Sequence, residues 1–372
     1  LPETLKWLHM GDAFNQRLKP GVLPTALTTL DFGWSFNQFL QPDVLPASLT
    51  KLDFGNYFDQ ALNPNVLPKK LKTLVFVKYE QQFQENVLPE GLRELIFIDG
   101  LQFVKKGVFP KSLIRLQFPS EFNEPLERYV LPKNLTYLNL NYEFNQPLEP
   151  GALPDNLKEL RFGQSFNQPL LSGALPTNLK ELHLGNAFNQ PLQPDVLPTN
   201  LKELHLGNAF NQPLQPDVLP DNLKELRFGR SFNQPLFSGA LPTNLKKLHL
   251  GNAFNQPLQP DVLPTNLITL NFGCQFNQPL FVQKFPVDDN ALVRPRKVAK
   301  IGVKSVLPNG LLMLTFGSPS SRCAYFETGF NQPVPPGTLP DSLTYVDFGS
   351  DFKQDMEQDA VPPHARIVKP GF

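Results

Sequence analysis

Cysteine is scarce in this sequence: Cys274 and Cys323 are the only two in 372 residues. Two cysteines cannot build a disulfide framework, and so low a count fits a reducing compartment. No run of eighteen apolar residues occurs, which argues against a membrane-spanning helix. Neither charge dominates, with 34 basic and 34 acidic residues. A balanced chain sets up no global field for nucleic acid or membrane. Histidine numbers five. No nucleophile motif, glycine-rich phosphate loop or zinc-finger spacing is present. Enzymatic activity, a cofactor and a metal are therefore not expected. One sequon, Asn134-Leu135-Thr136, carries little weight in a chain of this length.

Proline and phenylalanine are abundant, at 40 and 32 residues. Both come from a repeat. A Leu-Pro pair recurs every 22 residues from Leu1 through Leu23, Leu45 and Leu67. After shorter steps through Leu88 and Phe109, it resumes at Leu131 and continues to Leu263. Phe285, Leu307, Leu339 and Val361 head the last units, giving ~17 in all. Residues 175–196 and 197–218 are identical. Such a chain stacks small units, each burying its apolar face on the next.

In residues 175–196, LPTNLKELHLGNAFNQPLQPDV, the apolar places are Leu175, Leu179, Leu182, Leu184, Phe188 and Leu192. The spacing Leu-x-x-Leu-x-Leu is that of a leucine-rich-repeat strand. Alternation points Leu182 and Leu184 inward and Glu181 and His183 outward. Gly185 ends the strand at an expected sharp turn. Pro176, Pro191 and Pro194 exclude helix from the return segment. The expected fold is a β-rich solenoid, a leucine-rich-repeat-like stack. Each unit supplies one short parallel strand and an irregular extended return, with few or no helices. Rungs follow every ~4.8 Å.

Stacking aligns Phe14, Phe36, Phe58, Phe122, Phe144 and their equivalents up to Phe352 into an aromatic spine. Beside it run Asn145, Asn167, Asn189, Asn211, Asn233, Asn255 and Asn277. Amides repeated at one lattice place predict a structural asparagine ladder that bonds backbone turns of neighbouring units. A ligand site is the alternative reading of the same column.

The run Phe-Asn-x-Pro-Leu, following Leu-x-x-Leu-x-Phe/Leu-Gly and headed by Leu-Pro, resembles the FNIP repeat of social amoebae and of giant viruses that infect amoebae. Here the third letter is Gln, as in Gln146, Gln168, Gln190 and Gln212. The resemblance covers nearly the whole chain. It implies a leucine-rich-repeat-like solenoid working through protein–protein contacts, in a host or amoebal cytoplasm or in a virion. Members often carry an F-box ahead of the repeats, which would make them substrate adaptors of ubiquitin ligases. These residues hold no F-box. The chain opens without Met and in register with the repeat, so further residues are expected upstream.

The chain reads as a single solenoid over residues 1–372. Residues 1–130 are diverged repeats, and two units there, 67–87 and 88–108, lose one residue and the FNQPL segment. Residues 131–284 are regular. Within them, 153–218 and 219–284 look like a duplicated block of three units. Residues 285–372 are degenerate repeats with a ten-residue insertion around 318–327 and a C-terminal cap. Cys274 and Cys323 stand two steps apart, ~10 Å, beyond the reach of a disulfide unless the insertion folds back. Free thiols are the expectation. Residues 290–326 hold Arg294, Arg296, Lys297, Lys300, Lys304 and Arg322 and no acid. This reads as a solvated irregular edge, with docking of an anionic partner as the alternative.

On the outward strand face one column reads Glu159, Glu181, Glu203, Glu225, Lys247, and its neighbour Arg161, His183, His205, Arg227, His249. A flat ladder converges ligands poorly, so a solvated face is preferred to a metal site. The basic column beside stacked carboxylates should protonate more easily. Trp7 and Tyr137 on the same face add amphipathic anchors of the kind found at binding hot spots. This face is the candidate surface for other proteins. Keeping the sheet soluble is the bland alternative. Self-association into a filament or particle surface is the second functional reading, because identical units can stack. Interleaved aromatics, which a single-strand nucleic-acid binder needs, are nearly absent from the basic segment 290–326.

Overall fold

The structure is a computed structural model, and it describes residues 1–100, 104–283, 303–317 and 329–369. The chain forms two compact units, Leu1–Phe188 and Asn189–Phe372. Both are parallel β-solenoids, and no α-helix occurs among the described residues. The Leu-x-x-Leu-x-Leu spacing produces the strands where it was expected to. In the first unit these are β1 (Trp7–His9), β2 (Thr29–Asp31), β3 (Lys51–Asp53), β4 (Thr73–Tyr79), β5 (Glu94–Gly100), β6 (Arg115–Gln117), β7 (Tyr137–Asn139), β8 (Glu159–Arg161) and β9 (Glu181–His183). Each pairs in parallel with the next, leucine against leucine: Leu8 with Leu30, Leu138 with Leu160, Leu160 with Leu182.

The second unit carries β10 (Glu203–His205), β11 (Glu225–Arg227), β12 (Lys247–His249), β13 (Thr269–Phe272), β14 (Phe281–Gln283), β15 (Val303–Ser305), β16 (Met313–Phe316), β17 (Tyr345–Asp347) and β18 (Arg366–Val368). Here the one-strand-per-unit expectation fails once. β13 pairs directly with β16, so the unit headed by Phe285 adds no rung to the parallel sheet. Instead β14 and β15 pair antiparallel on their own. The reason is in the residues: 285–306 lack the leucine spacing that would seat a strand on the core.

The 21-residue units also depart from the pattern. Without a Phe-Asn turn, β4 and β5 run on to seven residues each and stay paired as far as Tyr79 and Gly100. Tyr79 then takes the spine place, its ring 6.2 Å from Phe58. Elsewhere the spine is phenylalanine. Phe144, Phe166 and Phe188 stack at 6.2 and 6.0 Å, and Phe210, Phe232, Phe254 and Phe276 at 6.2, 5.9 and 6.0 Å. Where Phe rather than Leu holds the second inward place of the motif, a second ring packs within the turn, as Phe228 does on Phe232 at 3.8 Å.

Two features of the return segment set the turns. The Leu179 N–H donates to the Pro176 carbonyl at 3.1 Å, closing the Leu-Pro turn, and other units repeat this bond. In most units the residue before the last is left-handed, as are Gly173 at φ 75° and Asp195 at φ 63°. Glycine, aspartate and asparagine are the residues that tolerate that conformation. Gly185, expected to provide a special φ, does something else. A methyl on it would overlap the Gly163 carbonyl, so glycine is needed for close approach of successive turns.

The cysteine expectation is corrected. Cys274 is 4% exposed and disulfide-bonded, and no free cysteine occurs among the described residues. The other cysteine of the sequence, Cys323, falls outside the described residues, as do the insertion and Arg294, Arg296, Lys297, Lys300 and Arg322. A disulfide removes the basis for reading a reducing compartment from composition.

Candidate interaction face

Strand alternation decides what this face shows. In β7 to β10 the central leucine is buried and the residues on either side are half-buried. Register places Tyr137, Glu159 and Glu181 in one column and Asn139, Arg161 and His183 in the next. In the second unit Glu203, Glu225 and Lys247 align, beside His205, Arg227 and His249. Trp7 lies in the Tyr137 column, 61% exposed, but Thr29, Lys51, Thr73, Glu94 and Arg115 intervene. The two aromatic anchors are thus not brought together.

The charges are paired within the face. Arg161 Nε donates to Glu159 at 2.6 Å. Arg227 donates to one oxygen of Glu225, and Lys247 Nζ lies 3.2 Å from the other. Arg115, not singled out from the sequence, stacks its guanidinium over Tyr137 at 3.8 Å and pairs with Glu94 at 3.3 Å. Its signal was present: it holds the column place in a full-length unit headed by Phe109 rather than leucine.

Acidic stacking does not make every base here easier to protonate. Burial pushes His249 below its ordinary value of 6.5, and the Arg227 and Lys247 charges add to this against Glu225. Its Nε2 is buried without a hydrogen-bond partner among the described residues, which suits a neutral ring. Burial would raise Glu225, but its hydrogen bonds from Arg227 and Lys247 outweigh it and the carboxyl ends below its ordinary value. For both groups the unfolded chain binds more protons than the folded one as pH falls. Stability therefore drops on acidification, through His249 below about pH 6.5 and through Glu225 below about pH 4.5. Thermal melts between pH 7.5 and 5 should show this slope, and His249→Asn should flatten it. An equal slope in the variant would assign the effect elsewhere.

Ligand atoms also come closer than a flat ladder suggests. Glu159, Glu181 and His183 each place one within 4.8 Å of the others, as do Glu203, His205 and Glu225.

The asparagine column runs along the return segments. Asn145, Asn167, Asn189, Asn211, Asn233, Asn255 and Asn277 are half-buried rather than pointed into the core. Asn211 Oδ1 accepts from the Asn233 N–H at 2.9 Å and from Gln234 Nε2 at 3.3 Å. Asn145 accepts likewise from the Asn167 N–H at 2.9 Å and Asn277 from the Asn331 N–H at 2.9 Å. Asn211→Leu leaves two donors without this acceptor and should cost about 1–3 kcal/mol. A denaturant midpoint equal to wild type would refute a structural role.

The FNIP Repeat family model matches residues 14–57, 58–100, 102–143, 144–187, 188–231, 232–275 and 330–369. The chain belongs to the FNIP repeat family. A solved structure titled CroV588, a novel circular LRR protein, is similar at 33% identity and TM-score 0.57. The match covers 99% of this chain, which spans 66% of that protein's length. The mouse RP105/MD-1 complex shares the fold at 16% identity and TM-score 0.51, covering 87% of this chain and 59% of that one. No curated protein matches the sequence. FNIP and leucine-rich-repeat-like solenoids are typically non-enzymatic scaffolds for protein interaction. Among the described residues no helix is long and apolar enough to cross a membrane.

Proposed function

We propose that this FNIP repeat protein is a non-enzymatic interaction scaffold whose strand face carries the main contact with a protein partner. The observation behind the reading is the arrangement of that face. Two registered columns present paired charges on short strands, above a leucine and phenylalanine core that leaves the backbone little freedom to shift. Binding energy is then not lost in ordering the surface. Tyr137 clamped by Arg115 provides a rigid aromatic anchor, and Glu159 with Arg161 a charged one. Serving as the substrate-recognition part of an adaptor is one form of this role, in line with family members that carry an F-box.

The second reading is a structural protein of a filament or giant-virus particle surface, assembled by repeat stacking. It is favoured by the identity of residues 175–196 and 197–218, which gives a surface repeating with the lattice.

Replacing Glu181, His183, Glu203 and His205 together by Ser tests the first reading. None of the four is a core residue, so the variant should melt close to wild type. It should lose most of the wild type's capture of partner proteins. A folded variant that captures the same proteins equally well would move the contact off this face. Concentration-dependent assembly of the wild type, seen by light scattering and unaffected by the four changes, would favour the structural reading.

A further inference from the structure

We propose that the strand-to-turn edge of the first compact unit, an apolar ridge of Trp34, Tyr57, Val77 and Ile98 inside an acidic rim, docks a lysine- or arginine-rich segment of a protein partner that also carries apolar side chains. The proposal rests on the scaffold reading and adds a contact apart from the Glu181 and His183 columns. Four consecutive strands build the ridge. The turns after β2 and β3 are stacked, the Tyr57 N–H donating to the Trp34 carbonyl at 3.0 Å. Both side chains stand out of these turns, 57% exposed for Trp34 and 62% for Tyr57. β4 and β5 run on where such a turn would begin, and their added residues continue the line. The register that pairs Phe76 with Phe97 and Lys78 with Asp99 sets Val77 against Ile98 on the outward side. With rungs ~4.8 Å apart, Trp34 to Ile98 spans about 14 Å. An apolar line of this kind with a polar border marks an interaction site, and Trp and Tyr are the residues enriched at binding hot spots. The repeat itself does not require it, since the matching turns of the second unit hold Asn208, Arg230 and Asn252.

Charge decides the occupant. Asp31 and Asp53 are register partners on the strands that lead into the Trp34 and Tyr57 turns. Their Oδ1 atoms accept the Gly33 and Gly55 N–H at 2.8 and 3.0 Å, which fixes both carboxylates beside the ridge. His9 Nδ1 lies 3.0 Å from Asp31, whereas Asp53 makes no ion pair among the described residues. Burial, and then the Asp31 charge, push the Asp53 carboxyl above its ordinary value, against the Gly55 hydrogen bond and the Lys51 charge. A cation brought by a partner would relieve that repulsion. On the turn side Asp99, Glu121 and Glu143 also make no ion pair among the described residues. Of the lysines nearby, Lys78 is held 3.5 Å from Glu80, and Lys51 stands in the other strand column. An apolar line inside a negative rim is complementary to a segment in which apolar and basic side chains are interleaved.

Fluorescence anisotropy of a labelled lysine–leucine peptide, titrated with the full chain, tests this. The peptide should bind saturably, and its glutamate–leucine counterpart should not. Trp34→Ala combined with Tyr57→Ala should weaken binding about tenfold or more, the scale of a lost hot spot. Asp31→Asn combined with Asp53→Asn keeps the oxygens that accept from Gly33 and Gly55. It should weaken binding about tenfold and flatten its dependence on salt. Phe237→Ala, off the ridge, should bind as wild type. So should the variant with Glu181, His183, Glu203 and His205 replaced by Ser, which separates this site from the main strand-face contact. Circular dichroism of each variant checks that the fold is kept. Absence of saturable binding, equal binding of the two peptides, or unchanged binding in the folded Trp34 and Tyr57 variant would overturn the proposal. So would a dimer of the chain alone, seen by sedimentation, that the Trp34 and Tyr57 changes abolish, because the ridge would then belong to a second copy.

Discussion

Truncating Phe232 to alanine is expected to lower stability by about 3–5 kcal/mol, the range for emptying a buried aromatic site. Phe232 is fully buried. Its ring touches Phe228 in its own turn at 3.8 Å and faces Phe210 and Phe254 in the adjoining turns at 6.2 and 5.9 Å. The cavity left cannot collapse easily, because ladder bonds on both sides hold the neighbouring turns at the strand spacing. In a stacked array each turn is stabilised mainly by its neighbours, so the loss spreads along the unit. Phe237→Ala is the matched control. Phe237 is 56% exposed, and its truncation should change stability by no more than about 0.5 kcal/mol. Chemical denaturation of both variants decides the point. Similar midpoints would mean that the spine contributes no more than surface phenylalanine.

Gly251→Ala should be comparably severe, at about 3 kcal/mol or more, for the opposite reason. A methyl at Gly251 would overlap the Gly229 carbonyl. The obstructing carbonyl is backbone, so no rotamer change relieves the overlap, and successive turns must be forced apart. Gly173→Ala provides the contrast. Its φ is 75°, yet a methyl there meets only Pro150 Cβ at ordinary contact distance. The cost is then the left-handed conformation alone, about 1–2 kcal/mol. Thermal melts of the two alanine variants should separate them clearly. Equal losses would show that the close approach of turns is not what glycine provides at Gly251.

The strands and the spine could be read from residue spacing because they depend on local patterns repeated in register. Leu182 and Leu204 announce themselves through the Leu-x-x-Leu-x-Leu motif. What escaped sequence reasoning depends on contacts between units. Nothing in the Leu-Pro count shows that the unit headed by Phe285 is skipped, because its length is correct while its apolar spacing is not. Tyr79 replaces a spine phenylalanine from within a lengthened strand, at a place no alignment of FNQPL segments reaches. The role of Gly185 belongs to the turn beneath it. The bonded state of Cys274 is likewise not encoded in spacing along the sequence. On the strand face the columns were legible. Their pairing was not, since Arg115 over Tyr137 and Lys247 on Glu225 are contacts across strands.

The scaffold reading makes the strand face the place of contact, and hydrogen–deuterium exchange with a captured partner tests that most directly. A side-on partner should slow exchange in peptides covering residues 136–140, 158–162 and 180–184 in one unit and 202–206 and 224–228 in the other. The return segments carrying Asn167 and Asn233 should exchange as in the free chain. Protection confined to those return segments, with the strand peptides unchanged, would contradict the assignment of function to this face.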